Sequence, residues 1–311
     1  MKQKVVITGG AGFIGSHIAE RFVDEEYEVI VIDDLSSGKI ENLSHIKDKI
    51  TFVEGSIFDS ALLKNAVQDA RFVIHQAAIV SVPASLKDPL HTDHINTDGF
   101  LNVLLIAKEC EVERVIYASS CAVYGSDPEL PKKETDICTT FLSPYAIQKY
   151  TCELYGKLFS DSYEIETVGL RYFNVFGERQ ALSGGYPAVI PIFIKTILEG
   201  RQPVIFGDGE TTRDFIYVKN IVEANFLACF AKNINGEVFN VGSGRETSLN
   251  TLVENIHKNL NTEIKPLYEG FRVGDIKRSV ASITKAREKL NYIEKVTFEE
   301  GLRKTIEFYK K

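Results

Sequence analysis

Several features that define whole classes of proteins are missing from this chain of 311 residues. Its five cysteines are odd in number and include no Cys-x-x-Cys pair, which favours free thiols in a reducing cytoplasm over disulfides or a zinc site. No segment approaches the roughly 20 apolar residues of a membrane-spanning helix. The start of the chain also lacks the apolar core of a signal peptide. We therefore expect a cytoplasmic protein with no membrane segment.

An excess of positive charge is also absent. The chain has 36 Lys and Arg against 43 Asp and Glu, for a formal net charge of -7, and the two signs are interspersed. This balance argues against a nucleic-acid surface or a polybasic membrane patch. The chain has no Gly-x-Ser-x-Gly elbow and no phosphate-loop lysine. His91 and His94 lack a third ligand, so we predict no metal site.

What the chain does have is a regular alternation of apolar, β-branched runs with helix-length segments. The runs are 5–7, 29–32, 50–53, 72–74, 115–117 and 167–170, and helical patterns occupy 14–25, 60–70, 93–109 and 144–159. Continuously apolar strands are typical of a parallel sheet that is buried on both faces. We predict an α/β fold, a Rossmann-type doubly wound parallel sheet with a smaller mixed α/β lobe.

The lobe begins where the alternation loosens, after residue 174. A strand and helix near 215–230 and the run 238–241 are candidates to return to the main sheet, which makes the boundary discontinuous. We expect a dinucleotide-binding domain of residues 1–176 with 214–243, and a substrate-binding lobe of residues 177–213 with 244–311.

A glycine-rich turn follows the first strand. Glycines at 10, 12 and 15 permit a tight turn, a close approach of the backbone to a pyrophosphate, and close packing of the next helix. The second strand ends in Asp33, where a carboxylate bonds an adenosine ribose 2′-hydroxyl and repels a 2′-phosphate. The pattern predicts a dinucleotide site that favours NAD over NADP. Asp34 is interpreted as a turn or capping acid.

A second constellation is Tyr145-x-x-x-Lys149, which follows a helix start made by Ser143 and Pro144. Tyr145 and Lys149 then lie one turn apart on the same helix face. A free tyrosine has a pKa of about 10, so it needs a nearby cation to act as a base at neutral pH. Ser120, after the strand 115–117, places a hydroxyl for the same substrate oxygen. These residues predict hydride transfer at a carbinol carbon.

These motifs lie in a longer series at 8–15, 119–125, 143–149, 171–177, 212–215, 239–242 and 272–275. Across nearly its whole length, the chain resembles the extended short-chain dehydrogenase/reductase family and, within it, the nucleotide-sugar 4-epimerases. The resemblance implies that NAD is surrounded by Gly9, Gly12, Phe13, Ile14, Asp33, Asn42, Ser56, Ile57, Gln76, Ala77, Ala78, Tyr145, Lys149 and Tyr172. It also implies that a UDP-sugar contacts Ser120, Tyr145, Asn174, Val189, Arg213, Arg272 and Ser279.

The resemblance implies a redox-neutral cycle in which Tyr145 takes the 4-hydroxyl proton and NAD takes the C4 hydride. The 4-keto sugar then turns its other face to the cofactor, and the hydride returns. It also implies a homodimer that forms through the helices 93–109 and 144–159. A net dehydrogenase or reductase, and a non-catalytic NAD-binding regulator, are alternatives that use the same fold.

Relatives with other reactions are separated by particular residues. The 4,6-dehydratases carry an acid pair where this chain has Cys121 and Ala122, and the UDP-glucuronate decarboxylases differ at 146–148, so both activities are kept as alternatives behind the epimerase. Ser279 stands where glucose-restricted epimerases have a tyrosine, which favours UDP-GlcNAc and UDP-GalNAc, with UDP-glucose and UDP-galactose as a second pair. Lys277 and Arg278 leave UDP-glucuronate open as a substrate. Ser282 replaces an acid found in many relatives.

Overall fold

The computed structural model describes residues 2–136, 140–181, 188–271 and 276–310. Its strands are β1 Lys4–Thr8, β2 Glu28–Asp33, β3 Ile50–Glu54, β4 Ala70–His75, β5 Arg114–Ser120, β6 Glu166–Tyr172, β7 Asn174–Phe176, β8 Val204–Phe206, β9 Thr212–Arg213, β10 Phe215–Tyr217, β11 Glu237–Val241, β12 Thr247–Ser248 and β13 Leu267–Glu269.

Its α-helices are α1 Phe13–Asp24, α2 Ser60–Val67, α3 Val82–Lys87, α4 Pro89–Asp93, α5 Gly99–Glu109, α6 Pro144–Ser162, α7 Val189–Leu198, α8 Val218–Phe230, α9 Leu249–Leu260, α10 Thr284–Leu290 and α11 Phe298–Tyr309. Two 3₁₀ segments cover Ile40–Lys49 and Cys121–Tyr124, and a π-helical turn, His94–Asp98, joins α4 to α5. None of these described helices is long and apolar enough to cross a membrane.

A parallel sheet forms the centre of the fold. Seven of the described strands pair in the order β11-β6-β5-β4-β1-β2-β3. In β1, Val5, Val6 and Ile7 are fully buried, because helices cover both faces of the sheet. This arrangement confirms the doubly wound prediction. It also confirms that the run 238–241 returns to the sheet, since β11 pairs with β6.

The strand predicted near residue 215 takes a different place. β10 pairs in parallel with β7, where Phe215 lies opposite Asn174, and does not join the main sheet. The position beside β6 is already filled by β11, and the Phe173 N–H donates to the Val241 carbonyl at that edge. The helix that follows, α8, does return, because its Ile221 and Ala228 belong to the main core.

A separate apolar cluster lies beyond the sheet. It gathers buried side chains from α7, α9 and α11 with those of β10, including Ile194, Leu252, Leu302 and Tyr217. This cluster lies in the proposed lobe and at its junction with the main domain. The boundaries between the two domains stay a prediction from the sequence.

The order in which strands are added to the parallel sheet reverses at the boundary between β1 and β4. From β1 the chain builds β2 and β3 on one side, and then crosses to β4, β5 and β6 on the other. In such sheets, ligands bind outside the carboxyl ends of the strands at this switch point. Thr8, His75 and Ser120 end their strands at that edge, and this is where the predicted site residues gather.

Candidate active site

The turn after β1 depends on two close approaches. Gly9 has φ +67°, and a Cβ there would lie 2.5 Å from the backbone nitrogen of Ala77. A Cβ on Gly15 would lie 2.2 Å from the Gly9 carbonyl oxygen. Glycine therefore lets the ends of β1 and β4 meet, and lets α1 begin against the turn. Backbone N–H groups at the start of α1 are left to face an anion, as a pyrophosphate requires.

Asp33 holds this turn from the end of β2. Its Oδ2 accepts the Ala11 N–H at 2.9 Å, and its Oδ1 accepts the Leu35 N–H at 2.9 Å. Asn42 donates from Nδ2 to the Ala11 carbonyl at 2.8 Å. Burial raises the pKa of Asp33, and the two N–H donors oppose that shift. Two acceptor positions of the carboxylate remain for a ligand hydroxyl.

Asp34 has the turn role that the sequence predicts. Its Oδ1 accepts the N–H of Ser36 at 2.9 Å and the hydroxyl of the same serine at 2.6 Å. The side chain is committed to its own turn, so Asp33 is the acid available at this edge.

The other predicted cofactor residues follow the ends of β1, β3, β4 and β6. Gln76 donates from Nε2 to the Tyr172 hydroxyl at 3.0 Å, and Asn225 of α8 donates to the same hydroxyl at 2.7 Å. Ser56 accepts the Phe58 N–H at 3.2 Å, in the turn after β3. The structure brings to this one edge Gly9, Gly12, Phe13, Ile14, Ser56, Ile57, Gln76, Ala77, Ala78 and Tyr172.

Tyr145 and Lys149 lie in the first turns of α6. The Ser143 hydroxyl caps the helix by accepting the Ala146 N–H at 3.3 Å, as predicted. The Lys149 Nζ lies 5.9 Å from the centre of the Tyr145 ring and donates to the Ala118 carbonyl at 2.9 Å. Both side chains are buried. The pair therefore points toward the end of β5, where Ser120 is found.

Burial dominates the acid/base behaviour of this pair. It raises the pKa of Tyr145 to about 12, while a hydrogen bond with the Ser120 hydroxyl opposes that shift. Burial also lowers the pKa of Lys149. A neutral phenol in contact with a serine hydroxyl can share a proton with a substrate oxygen, and a cation beside it stabilises the phenolate.

Behind the pair is a polar network that the sequence analysis missed. Glu153 accepts from Ser119 Oγ at 2.5 Å, from Arg171 Nε at 2.8 Å and from Arg171 Nη2 at 2.7 Å. Arg171 also donates to the Tyr124 hydroxyl at 2.9 Å. Glu153 follows Lys149 by four residues, so the helical spacing that pairs 145 with 149 was a signal for it.

A second missed group connects α6 to the loop after β4. Asn96, in the π-helical turn, accepts the Ile79 N–H at 2.8 Å and donates to the Ile79 carbonyl at 3.0 Å. Its amide also donates to Gln148 Oε1 at 2.8 Å. A buried asparagine therefore fixes the loop that carries residues 76–78 against the helix that carries Tyr145.

The predicted substrate residues lie on the lobe side of this edge. Asn174 has a buried Oδ1 with no hydrogen-bond partner among the described residues, which suits a ligand donor. Arg213 donates to the Ile276 carbonyl at 2.6 Å and so lies against the segment after 272–275. Val189 begins α7, and Ser279 is partly buried. Arg272 lies outside the described residues.

Asp214 and Ser282 form hydrogen bonds that join separate segments of the chain on the lobe side of the site. Asp214 is fully buried and accepts hydrogen bonds from the backbone N–H groups of Ser243, Gly244 and Ala281, at 2.7, 3.0 and 3.0 Å. Ser282 bonds through its backbone, donating from its N–H to the Lys132 carbonyl at 2.8 Å. This bond is made by the backbone, so it does not depend on whether position 282 carries a serine or the acid found in many relatives.

The fold and the site define a dinucleotide-dependent α/β enzyme with a tyrosine/lysine pair. The family described as "Epimerase: NAD dependent epimerase/dehydratase family" matches residues 5–242. The chain belongs to this family, and its cofactor is NAD.

Similar proteins cover the chain from end to end. A putative UDP-glucose 4-epimerase of Methanocaldococcus jannaschii is 39% identical over 98% of this chain and 98% of its own length. The structure of UDP-N-acetylglucosamine 4-epimerase from Methanobrevibacter ruminantium, in complex with UDP-N-acetylmuramic acid, is 43% identical with a TM-score of 0.95, covering 100% of this chain and 99% of that one. The UDP-glucose 4-epimerase of Thermotoga maritima with UDP-glucose is 38% identical with a TM-score of 0.93, covering 99% of each chain.

Proposed function

We propose that this protein is a UDP-sugar 4-epimerase that inverts C4 through a transient 4-keto sugar. The observation that carries the proposal is the convergence of Tyr145, Lys149 and Ser120 at the edge of the sheet that also holds the glycine turn. NAD supplies the hydride acceptor and donor when bound. The glycine turn, with Asp33 and Asn42 around it, fits such a dinucleotide because Gly9 and Gly15 let the end of β1 and the start of α1 come close together, where backbone N–H groups can bond a pyrophosphate.

In this reaction, residues of the chain transfer the proton of the sugar 4-hydroxyl. Tyr145, as the phenolate that the Lys149 ammonium stabilises, takes the proton from the sugar 4-hydroxyl, becomes a neutral phenol, and returns that proton after the ketone has turned. Ser120 bonds the same oxygen while its charge changes, and the Lys149 ammonium favours the phenolate. Burial of the pair excludes water, so the ketone is protected from side reactions while it turns.

The nucleotide part of the substrate is assigned to the lobe side. Arg213 is suited to the diphosphate because a guanidinium bonds two oxygens at once. Asn174 supplies an unpartnered acceptor for a sugar hydroxyl. Arg272 and Val189 complete the proposed substrate set, and residues 177–213 with 244–311 form the proposed lobe that anchors the sugar nucleotide while the ketone turns.

For the sugar, we propose UDP-GlcNAc and UDP-GalNAc, with UDP-glucose and UDP-galactose as a second pair. Ser279 is small and leaves room for an N-acetyl group at C2. Arg278, which suggested UDP-glucuronate, already bonds Glu246 from Nε at 2.9 Å and from Nη2 at 2.5 Å. Because Arg278 is mostly exposed in this ion pair, Glu246 competes only weakly with a hexuronate carboxylate, and UDP-glucuronate stays a further candidate substrate.

We also propose that the protein is a cytoplasmic homodimer. Large apolar side chains are exposed on the outer faces of α5 and α6: Leu105 at 44%, Ile147 at 50%, Leu154 at 55% and Leu158 at 47%. On α6 their spacing of seven and four residues forms one stripe, as a helix-to-helix interface requires. Light scattering at micromolar concentration tests this, and a monomer would rule it out.

The test of the reaction gives the purified protein UDP-GlcNAc and UDP-glucose in separate tubes without added NAD. Chromatography and proton NMR then resolve the products. UDP-GalNAc forming faster than UDP-galactose supports both the mechanism and the pocket at Ser279. Formation of UDP-galactose alone supports the mechanism and rejects the pocket, and no product in either tube rejects the proposed function for these substrates.

A further inference from the structure

The first turn of α6 has a backbone donor that the helix itself does not satisfy. The N–H groups at the start of any helix lack carbonyl partners four residues earlier. Here Pro144 has no N–H, and the Ala146 N–H is taken by Ser143, at 3.3 Å from its hydroxyl and 3.2 Å from its carbonyl. The donor that remains between them is the N–H of Tyr145.

A serine from another helix accepts this donor. The Ser85 Oγ, on α3, lies 3.1 Å from the Tyr145 nitrogen. The proton of the same hydroxyl is committed to its own helix, because it is donated to the Val82 carbonyl at 2.7 Å. Ser85 is fully buried, so water cannot replace it at the Tyr145 amide without a change in packing.

The hydrogen bond from Tyr145 to Ser85 joins α6 to the segment that follows the proposed cofactor loop. α3 directly follows the loop after β4, which carries Gln76, Ala77 and Ala78, and Ser81 caps α3 by accepting the Ala84 N–H at 3.1 Å. The loop is assigned to the cofactor and Tyr145 to the proton. The hydride leaves the carbon and the proton leaves the oxygen of one H–C–O–H unit, so the two acceptors must keep one relative position.

We propose that Ser85 is a positioning residue that fixes the backbone of Tyr145 relative to the cofactor loop. The proposal rests on the proposed function, in which Tyr145 handles the substrate proton. Ser85 touches neither substrate nor cofactor and acts only through Tyr145. Its hydroxyl holds the second residue of α6 at the height from which the phenol reaches Ser120.

The structure keeps the fold independent of this one bond. Asn96 joins the same loop to α6 through Ile79 and Gln148. Removing the Ser85 hydroxyl therefore leaves the loop after β4 connected to α6. The expected result is a small displacement of Tyr145 in a folded protein.

The experiment compares Ser85→Ala with Ser81→Ala in the full-length protein as purified. Ser81→Ala removes a capping hydroxyl from the same short helix, and among the described residues Ser81 has no hydrogen bond to α6. We expect kcat of Ser85→Ala to fall about tenfold, the equivalent of ~1.4 kcal/mol in the barrier, while KM stays within about twofold. We also expect the acid limb of its kcat–pH profile to move to higher pH, because a displaced phenol loses the Ser120 bond that favours phenolate.

A second readout does not depend on activity. Hydrogen–deuterium exchange of a peptide that covers residues 143–149 is expected to speed up in Ser85→Ala and to stay unchanged in Ser81→Ala. The proposal is overturned if kcat stays within about twofold of wild type, if Ser81→Ala loses as much, or if KM rises in proportion. Unchanged exchange also overturns it. If the wild type turns over no UDP-sugar, the proposed function fails, and exchange alone decides whether Ser85 holds Tyr145.

Discussion

Arg171 and Glu153 form a buried ion pair with two parallel hydrogen bonds, from Nε at 2.8 Å and from Nη2 at 2.7 Å. Their side chains are each 5% exposed, and the pair joins the end of strand β6 to the middle of α6. Because Glu153 also accepts from Ser119, the pair fixes the end of β5 against the helix that carries Tyr145 and Lys149.

Breaking this pair from one side leaves a buried charge without a partner. We expect Arg171→Met to lower the free energy of unfolding by about 3–5 kcal/mol, since the Glu153 carboxylate then stays buried and unpaired. Denaturant unfolding measures the change. Arg303→Met, which removes an exposed pair with Glu307 on α11, is the control and should cost less than about 1 kcal/mol. Equal losses in the two variants would contradict the role of burial.

Removing the Tyr145 hydroxyl tests the proton transfer. We expect Tyr145→Phe to lower kcat by about 10²–10⁴-fold, because no other described hydroxyl on α6 replaces it beside Lys149. Thermal unfolding and the NAD content released on denaturation should stay close to wild type. Tyr163→Phe, at the other end of the same helix, is the matched control. A Tyr145→Phe protein that keeps wild-type turnover would remove Tyr145 from the mechanism.

A buried histidine makes stability depend on pH. His75, at the end of β4, bonds Thr8 Oγ1 through Nδ1 at 2.8 Å, and burial together with the nearby Lys149 charge lowers the pKa of His75 to about 3. A depressed pKa means that the unfolded chain binds the proton first. The stability present above pH 6.5 is therefore lost as pH falls toward 3.

We expect the free energy of unfolding to fall less steeply between pH 6.5 and 3 in His75→Gln than in the wild type. Denaturant titrations at several pH values give the slopes. His91→Gln changes an exposed histidine and should leave the wild-type slope in place. Parallel slopes for wild type and His75→Gln would show that His75 is not the group that titrates.

The close approach at Gly9 can be separated from its backbone conformation. Gly9 and Gly200 have φ of +67° and +70°, but a Cβ on Gly9 meets Ala77 at 2.5 Å while a Cβ on Gly200 meets nothing within 4 Å. Both alanine variants carry the cost of a left-handed residue, about 1–2 kcal/mol. Gly9→Ala is expected to lose additional stability and its bound NAD.

The measurement is denaturant unfolding together with the NAD released from the purified proteins. Retention of NAD by Gly9→Ala, with a loss of stability equal to that of Gly200→Ala, would show that the turn tolerates a side chain against Ala77.

Local patterns predicted most of the scaffold. The apolar runs of β1 to β6, the glycine turn and the Ser143 cap are set by neighbouring residues, and the structure has each of them where the pattern predicts. The pairing of β10 with β7 was not predictable in the same way. It depends on β11 occupying the edge of β6, and competition between distant strands leaves no mark in either strand's own sequence.

The sequence by itself determined the order of strands and helices, the glycine turn with Asp33 after the next strand, and the single-turn spacing of Tyr145 and Lys149. These follow from short-range sterics and from the periods of helix and strand. Only the tertiary structure decided that Glu153 pairs with Arg171, that Asn96 holds Ile79 and that Ser85 accepts the Tyr145 N–H. These partners are 17 to 60 residues apart in the chain. They become neighbours only in the folded protein, where buried polar groups must form hydrogen bonds with one another.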